Sequence, residues 1–581
     1  MSDFLYSSQQ QPPGQMAAIV RRIYPEQFRP VKEFHGRWGS LAVSQNHYNG
    51  FDAVETETYI CAVAGGPLLT FCDNQFLAGL PSSVGTHKIL SRWKTSKEIV
   101  WDEDLSGPFA IILIDKISGE IETVTDLMSF IPLFKTKDKD ALYIGSHADI
   151  VAEISQRNQL TDVVSIADFV LNGFVTYPFT FYKDIEQMPP ASVTRVSLAN
   201  INELISAHYW IPNESYSFDN IEDASLYLRN GLTKYIEQVT ASMSHIALFI
   251  SGGEDSRAIL AMTPERLKRD AYVFLDGFNA EAKVAKKIAA IYGAAFHYCE
   301  RSPTHYLDNL APCSRLTGSG AQFHHVHSYG FHKSCNLDTY QAVLGGFSSD
   351  ALLKCSHQPR RFKSNKFPEL VQIPAKGGFS IQVENNLFHD EILESVGNRR
   401  AAHMQFIRQF RGESAEEWFE LWPASMNMNI PNLHGNRRLF RSYEPFMSTV
   451  SVKVSASVPQ RWKTNRRLFH KTMQPLFKPS RGILHADGWL PYWPWWANVP
   501  LKLTNWLMRT TAIKLGIINR NQGPWWDWQT LWSSSVWKMR QKEMHLPAEL
   551  LGTKEPPDPQ SPQLSNMQKL NLLQVDQFFK H

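Results

Sequence analysis

The sequence predicts an α/β protein with two principal units, a strand-rich layered α+β domain over residues 31–205 and a parallel-sheet domain over residues 206–490. Three observations carry that expectation. Up to about Val196 the apolar runs are short or alternating and are bounded by turn residues, the pattern of strands. Beyond residue 220, helical spacing alternates with buried apolar runs, the βαβ rhythm of a parallel sheet. Between one such run and the next helix stands Ser251-Gly-Gly-Glu-Asp-Ser256.

In chain order, residues 1–30 read as a disordered lead-in, because Ser7 to Gln15 combine Gln, Ser, Pro and Gly with little to pack. Residues 59–64 and 109–115 are apolar strands, and 120–125 alternates with period two. Ile117-Ser-Gly-Glu120 between the last two predicts a hairpin. The second unit begins with a helix over 221–243 and a strand over 245–250. A helix at 257–262, a strand at 270–275, a helix at 280–292 and a strand at 341–344 follow, and 400–480 is mostly helical. Residues 491–550 form a Trp-rich basic extension, and 551–581 a Pro-rich tail with a short helix over 566–579.

Composition excludes several classes. Lys plus Arg (59) against Asp plus Glu (56) leaves +3 on 581 residues, no global field for gripping nucleic acid. The six cysteines are scattered without a Cys-x-x-Cys pair and read as buried, reduced thiols. Neither a secretory signal nor an apolar run of about 18 residues is visible, so the expectation is a soluble, cytoplasmic chain, at most peripheral to a membrane. Of 17 tryptophans, ten lie between Trp489 and Trp537.

The glycine turn carries the chemistry. Placed between a strand and a helix, its backbone N–H groups face a ligand phosphate, with Gly252 and Gly253 allowing close approach and Ser251 and Ser256 adding hydroxyls. A carboxylate beside a polyphosphate makes sense as a magnesium ligand, which is the role expected of Asp255. Leu344-Gly-Gly-Phe-Ser-Ser-Asp350 follows another strand in the same manner. Gly346 would line the nucleotide site there, and Asp350 would share the metal with Asp255. His324, His325, His327 and His332 lack metal-ligand spacing and read as acceptor-pocket lining or plain surface.

Ser-Gly-Gly-x-Asp-Ser resembles the pyrophosphate loop of the ATP-pyrophosphatase superfamily, and its surroundings resemble the asparagine synthetase family. Gly107 to Asp115, Thr125 to Phe134 and Tyr143 to Asp149 look like the second half of that family's glutaminase-like domain. Asp168 to Gly173 and Ile185 to Pro190 look like the bridge beyond it. Glu281 with Ala285 and Ala289, Gly345 to Asp350, and Arg441-Ser-Tyr-Glu-Pro-Phe446 fit the synthetase half, so that the match runs over roughly residues 55–490. The resemblance implies a glutaminase-like (Ntn-type) layered domain, followed by an adenine-nucleotide alpha-hydrolase-like synthetase domain that uses ATP and Mg2+.

Departures from the pattern shape the expected activity. The family's glutaminase cysteine stands at residue 2, where this chain has Ser2, and Gly65-Gly-Pro-Leu68 and Gly85-Thr-His87 replace its glutamine-binding runs. Glutamine hydrolysis is therefore not expected, a state similar to that of β-lactam synthetases and lasso-peptide cyclases. Glu254 replaces an apolar residue in the loop. The family's lysine ahead of a Gly-Phe pair has no aligned counterpart near Pro479 to His485, which leaves Arg481, or Lys463 or Lys471, to supply catalytic charge. The implied function is an ATP-dependent ligase joining a small-molecule or peptide carboxylate to an amine with release of AMP and pyrophosphate. The alternative is a non-catalytic nucleotide-binding scaffold. An RNA-thiolation role lacks its cysteines and a basic face.

The extension has two readings. Residues 501–545 hold seven Lys plus Arg against Asp527 and Glu543, a local +5, with an amphipathic helix over 501–517. Such a segment suits peripheral contact with an anionic membrane through 491–545, or an aromatic cap over the synthetase domain.

Overall fold

The computed structural model describes residues 2–24, 30–96, 99–361, 367–375, 385–518, 521–524 and 527–580. The short apolar runs of the first half form two six-stranded antiparallel sheets. One runs in the order Glu186–Gln187, Phe134–Lys137, Leu142–Gly145, Phe4–Ser7, Gly39–Ser44, Val31–Gly36. The other runs Asn200–His208, Ser192–Ser197, Glu120–Thr125, Phe109–Asp115, Tyr59–Gly65, Val54–Glu55. Between Phe109–Asp115 and Glu120–Thr125 the expected hairpin closes at Gly119, whose φ of 71° suits glycine.

The lead-in expectation for residues 1–30 is corrected. Phe4–Ser7 is an interior strand of the first sheet, with Leu5 opposite Gly145 on one side and Ala42 on the other. Three consecutive apolar residues suffice because both faces are covered. Phe4 and Tyr6 share a core with Ile60, Val63 and Ile111 of the second sheet, while Leu5 packs with Met16, Ile19 and Val20 of the helix Gln15–Arg21. The carboxylate of Glu33 accepts from the N–H groups of Gly14 and Ala17 and closes that helix's first turn. Among the described residues of this stretch, 8–15 between strand and helix lie largely at the surface, as do Ala18, Arg22 and Pro30; Met1 and residues 25–29 lie outside the described residues.

The second unit is built on a five-stranded parallel sheet in the order Ala295–Glu300, Lys268–Leu275, His245–Phe249, Val343–Leu344, Ser442–Tyr443. His245–Phe249, first in sequence, is central, and the connections leave it in opposite directions. The gap between it and Val343–Leu344 is therefore a topological switch point, where ligands bind beyond the carboxyl ends of strands. Helices Ile221–Thr240, Asp255–Met262 and Ala280–Ile291 accompany this sheet.

The two units are fastened at both ends of the chain. Asp3 receives hydrogen bonds from Arg437 (3.0 Å) and Arg438 (2.7 and 2.9 Å), all fully buried. Burial opposes a charge on Asp3, but the two guanidiniums outweigh it and hold its carboxyl well below the usual range. The helix Asn566–Phe579, opened by a Ser565/Gln568 capping box, is no free tail: Leu570, Leu572, Leu573 and Val575 are buried. Asn571 donates to Phe169 O of the first unit (3.1 Å) and Gln574 to Ala321 O of the second (2.7 Å).

Candidate active site

Ser251–Ser256 leaves the carboxyl end of the central strand and enters the helix Asp255–Met262. The turn is tightly self-bonded. Ser251 N–H donates to Ser256 Oγ (3.0 Å), the two hydroxyls lie 2.9 Å apart, and Gly253 N–H donates to Ser251 Oγ (3.1 Å). Gly252 N–H donates to Glu281 Oε1 (2.6 Å), and a Cβ on Gly252 would fall 2.7 Å from Ala486. The strand Val343–Leu344, paired directly with the central strand, brings in the second turn. A Cβ on Gly346 would lie 2.9 Å from the backbone of Asp255, so the two turns touch, and only glycine fits. The second turn repeats the first's chemistry, with Phe347 N–H donating to Glu444 Oε2 (3.0 Å). Burial pushes both Glu281 and Glu444 up to about 7.

Asp255 and Asp350 converge as expected, and what they converge on is a side chain that sequence reading did not single out. Lys354 Nζ lies 2.5 Å from Asp255 Oδ1, 2.9 Å from Asp350 Oδ1 and 2.9 Å from Glu254 Oε1. Glu254 also holds Arg466, which donates from Nε at 2.6 Å. That pairing accounts for an acidic residue in the loop. Burial opposes charge on Glu254, yet Arg466 and Lys354 keep its carboxyl well below the usual range. For Asp255 burial wins: with Asp350 and Glu254 adding repulsion and Lys354 only partly compensating, its carboxyl rises to about 7. Lys354 loses by burial but gains more from the three carboxylates, and its ammonium is held charged.

Three carboxylates against two cations leave the cluster one positive charge short. Asp350 is the open side, its side chain 68% exposed while that of Lys354 is 6% exposed. Two carboxylate oxygens brought within 3 Å of one cationic centre, with a surplus of negative charge, form a donor set that fits a magnesium ion shared with phosphate oxygens. Among the described residues no group of three or more His, Cys, Asp or Glu side chains forms a metal-binding cluster.

The turn 480–489 forms the site's outer wall. Arg257, fully buried one residue past the loop, donates to Ile483 O (3.1 Å) and Leu484 O (3.2 Å). Ala486 N–H donates to Gly252 O (3.1 Å), and His485 Nε2 would lie 3.7 Å from a Cβ on Gly253. Burial pushes the His485 imidazole down to about 4. Trp489 stacks on His485 (4.5 Å) and carries the Arg466 guanidinium 3.7 Å from its ring centre. On the far side, residues 521–524 close over the end of Lys268–Leu275: Asn279 donates to Gly523 O and Arg301 to Pro524 O, each at 3.0 Å.

The side chains of three expected residues are not brought here. Lys463 is fully buried with its ammonium 2.5 Å from Glu417 Oε1 and 3.2 Å from Ser455 O, a core ion pair committed elsewhere. Arg481 is exposed on the turn after Phe477. Lys471 pairs with Glu222 at 2.8 Å. The signal for Lys354 was its place four residues after Asp350, one helical turn along Ser349–Leu353 and its cap. The surface reading of the four histidines is corrected for His324, His325 and His332, which are buried.

A family model for a glutamine amidotransferase domain matches residues 87–210, and one for asparagine synthase matches residues 228–476. Glutamine-hydrolyzing asparagine synthetase 3 of Bacillus subtilis (strain 168) is 24% identical over 241 residues, 36% of this chain and 38% of that protein. Glutamine-hydrolyzing asparagine synthetase 2 of the same organism is 25% identical over 192 residues, 31% of this chain and 25% of that protein. The match thus spans less than two thirds of either relative. A solved glutamine phosphoribosylpyrophosphate amidotransferase from B. subtilis is similar at a TM-score of 0.23 and 11% identity, over 51% of this chain and 65% of that one.

Proposed function

Because the chain belongs to the asparagine synthetase family, we propose that it is an ATP-dependent amide-forming ligase. In this reading a substrate carboxylate oxygen attacks the α-phosphorus of ATP, the bond to pyrophosphate breaks, and an amine then displaces AMP from the acyl carbon, losing a proton. The observation that supports it is the meeting of two glycine turns at the switch point, with Asp255 and Asp350 on one cationic position.

The chain's own residues divide the work. The turn Ser251–Ser256, which opens the helix Asp255–Met262, would receive the phosphates at that helix N-terminus, with the N–H groups of Ser251 and Gly253 released from the loop hydroxyls they now bond, while Gly252 N–H stays on Glu281. Lys354 supplies the fixed positive charge assigned from sequence to Arg481 or Lys463, and Glu254 with Arg466 keeps it in place. Asp255 and Asp350 would hold magnesium, whose charge suits departing pyrophosphate. Glu281 and Glu444 hold the two turns in shape through one N–H each. Glutaminase activity has no place in this reading, since Ser2 replaces the thiol and its hydroxyl is spent on Val63 O.

One observation favours a second reading, a non-catalytic nucleotide-binding scaffold: the Lys354 ammonium already occupies the cationic position between the two aspartates. Product analysis separates the two. With ATP, magnesium, an amine and a panel of amino acids and short peptides as carboxylates, the ligase yields AMP and pyrophosphate, and Asp255→Ala abolishes both. ATP binding by calorimetry with no AMP from any carboxylate would leave the scaffold. ADP and phosphate as products would contradict the ligase.

A further inference from the structure

The Trp-rich extension divides into two parts with opposite habits. Trp528, Trp532 and Trp537 turn inward, where Trp528 stacks on Trp532 (5.3 Å), Trp532 donates to Asn566 Oδ1 (2.8 Å), and Trp537 is buried. This is the aromatic cap. The helix Asn498–Lys514 does the reverse, for Asn498 is its only buried residue. Its outward stripe carries Leu503, Leu507, Met508 and, just past its end, Leu515 and Ile517, which are 40–70% exposed. Trp493 and Trp496, in the segment just before the helix, are also exposed, as is Phe367, whose ring lies 5.5 Å from that of Trp506 on the helix. An ordinary surface helix keeps that face polar.

Charge narrows what can cover it. From Gly488 to Trp526 the chain has no Asp or Glu but holds Lys502, Arg509, Lys514 and Arg520; Arg520, Trp525 and Trp526 lie outside the described residues. Two copies meeting through a twofold axis would set these cations against each other. A protein partner's polar rim ordinarily mixes both signs. An apolar stripe with tryptophans at its flank, on a segment whose own charges are all cationic and whose nearest acids, Glu369 and Asp487, lie beside Lys502 at the wall, is complementary to an anionic bilayer surface, into which it would enter only to headgroup depth. No helix among the described residues is long and apolar enough to cross a membrane.

We infer that this face docks on an anionic lipid surface, with the outer wall of the nucleotide site at the point of attachment. The helix is tied to that wall through its N-terminal half, where Asn505 donates to Gly488 O (2.6 Å) and Lys502 lies 5.5 Å from the Trp489 ring. The inference does not depend on which reaction the site performs.

Co-sedimentation of the full chain with phosphatidylcholine vesicles, with and without phosphatidylglycerol, tests it. The expected result is binding to the anionic vesicles only, weakened by salt. Leu507→Glu/Met508→Glu should reduce it about tenfold or more, and Lys514→Glu several-fold, with thermal melting unchanged. The idea is overturned if the chain stays in solution with both vesicles, if lipid charge makes no difference, or if wild type and Leu507→Glu/Met508→Glu partition alike. A concentration-dependent dimer that the double variant abolishes, without lipid binding, would assign the face to a second copy instead.

Discussion

Lys354 meets three carboxylates at once, two from the first glycine turn, Glu254 and Asp255, and one from the second, Asp350. Replacing it with methionine leaves Glu254, Asp255 and Asp350 facing one another at a buried position. The expected loss is about 3–5 kcal/mol of stability, read by denaturant titration, while Lys354→Arg retains most of it. Activity should fall further than folding does, by on the order of 100-fold at conditions where the variant is folded, because a positioned charge at a developing anion is removed. Glu444 gives a pH test of a different sign. Its carboxyl is raised to about 7 by burial, so the folded state binds the proton more tightly than the unfolded one. Its contribution is present at low pH and is lost as pH rises toward 7. Glu444→Gln, which keeps the neutral form, should therefore gain stability relative to wild type between pH 5 and pH 8, on the order of 1 kcal/mol or more.

The helix Asn566–Phe579 holds the two units through buried Leu572 and Val575, so Leu572→Ala should cost about 2–5 kcal/mol, measured by thermal or denaturant unfolding. Leu515→Ala on the exposed stripe should change stability by less than about 0.5 kcal/mol. The contrast between these leucines was not visible in sequence, where both stand in mixed apolar and polar surroundings. Elements with strong periodicity were legible: the central strand, the helices on either side of it, and the hairpin at Gly119 all lie where patterning puts them. Phe4–Ser7, Ala295–Glu300 and Ser442–Tyr443 were not. Each is either very short or half-polar, and each becomes a strand because neighbours already in place offer a free edge. At the site, glycine turns and their aspartates could be read because close approach demands those residue types. Arg466 and His485 could not, since an arginine or histidine on a helix or turn carries no mark of what it faces, and Lys354 had only its spacing of four from Asp350 to show it.

Asp3 and the Arg437–Arg438 pair make the chain's beginning part of the join between its two units. Asp3→Asn should destabilise the whole molecule by about 3–5 kcal/mol, because two buried guanidiniums lose their counter-ion. The sign with pH follows from a carboxyl held low in the folded chain: the stabilisation is complete above about pH 4, the unfolded value, and declines as pH falls below it. The wild type should therefore lose more stability on acidification than Asp3→Asn does. This construction sets a folded layered domain beneath a synthetase site whose wall continues into the lipid-facing helix. Activation of a carboxylate with ATP at this site is measured by carboxylate-dependent exchange of labelled pyrophosphate into ATP. The wild type should show exchange with at least one carboxylate and Asp255→Asn none; exchange that persists in Asp255→Asn, or that proceeds equally without any carboxylate, would rule that activation out.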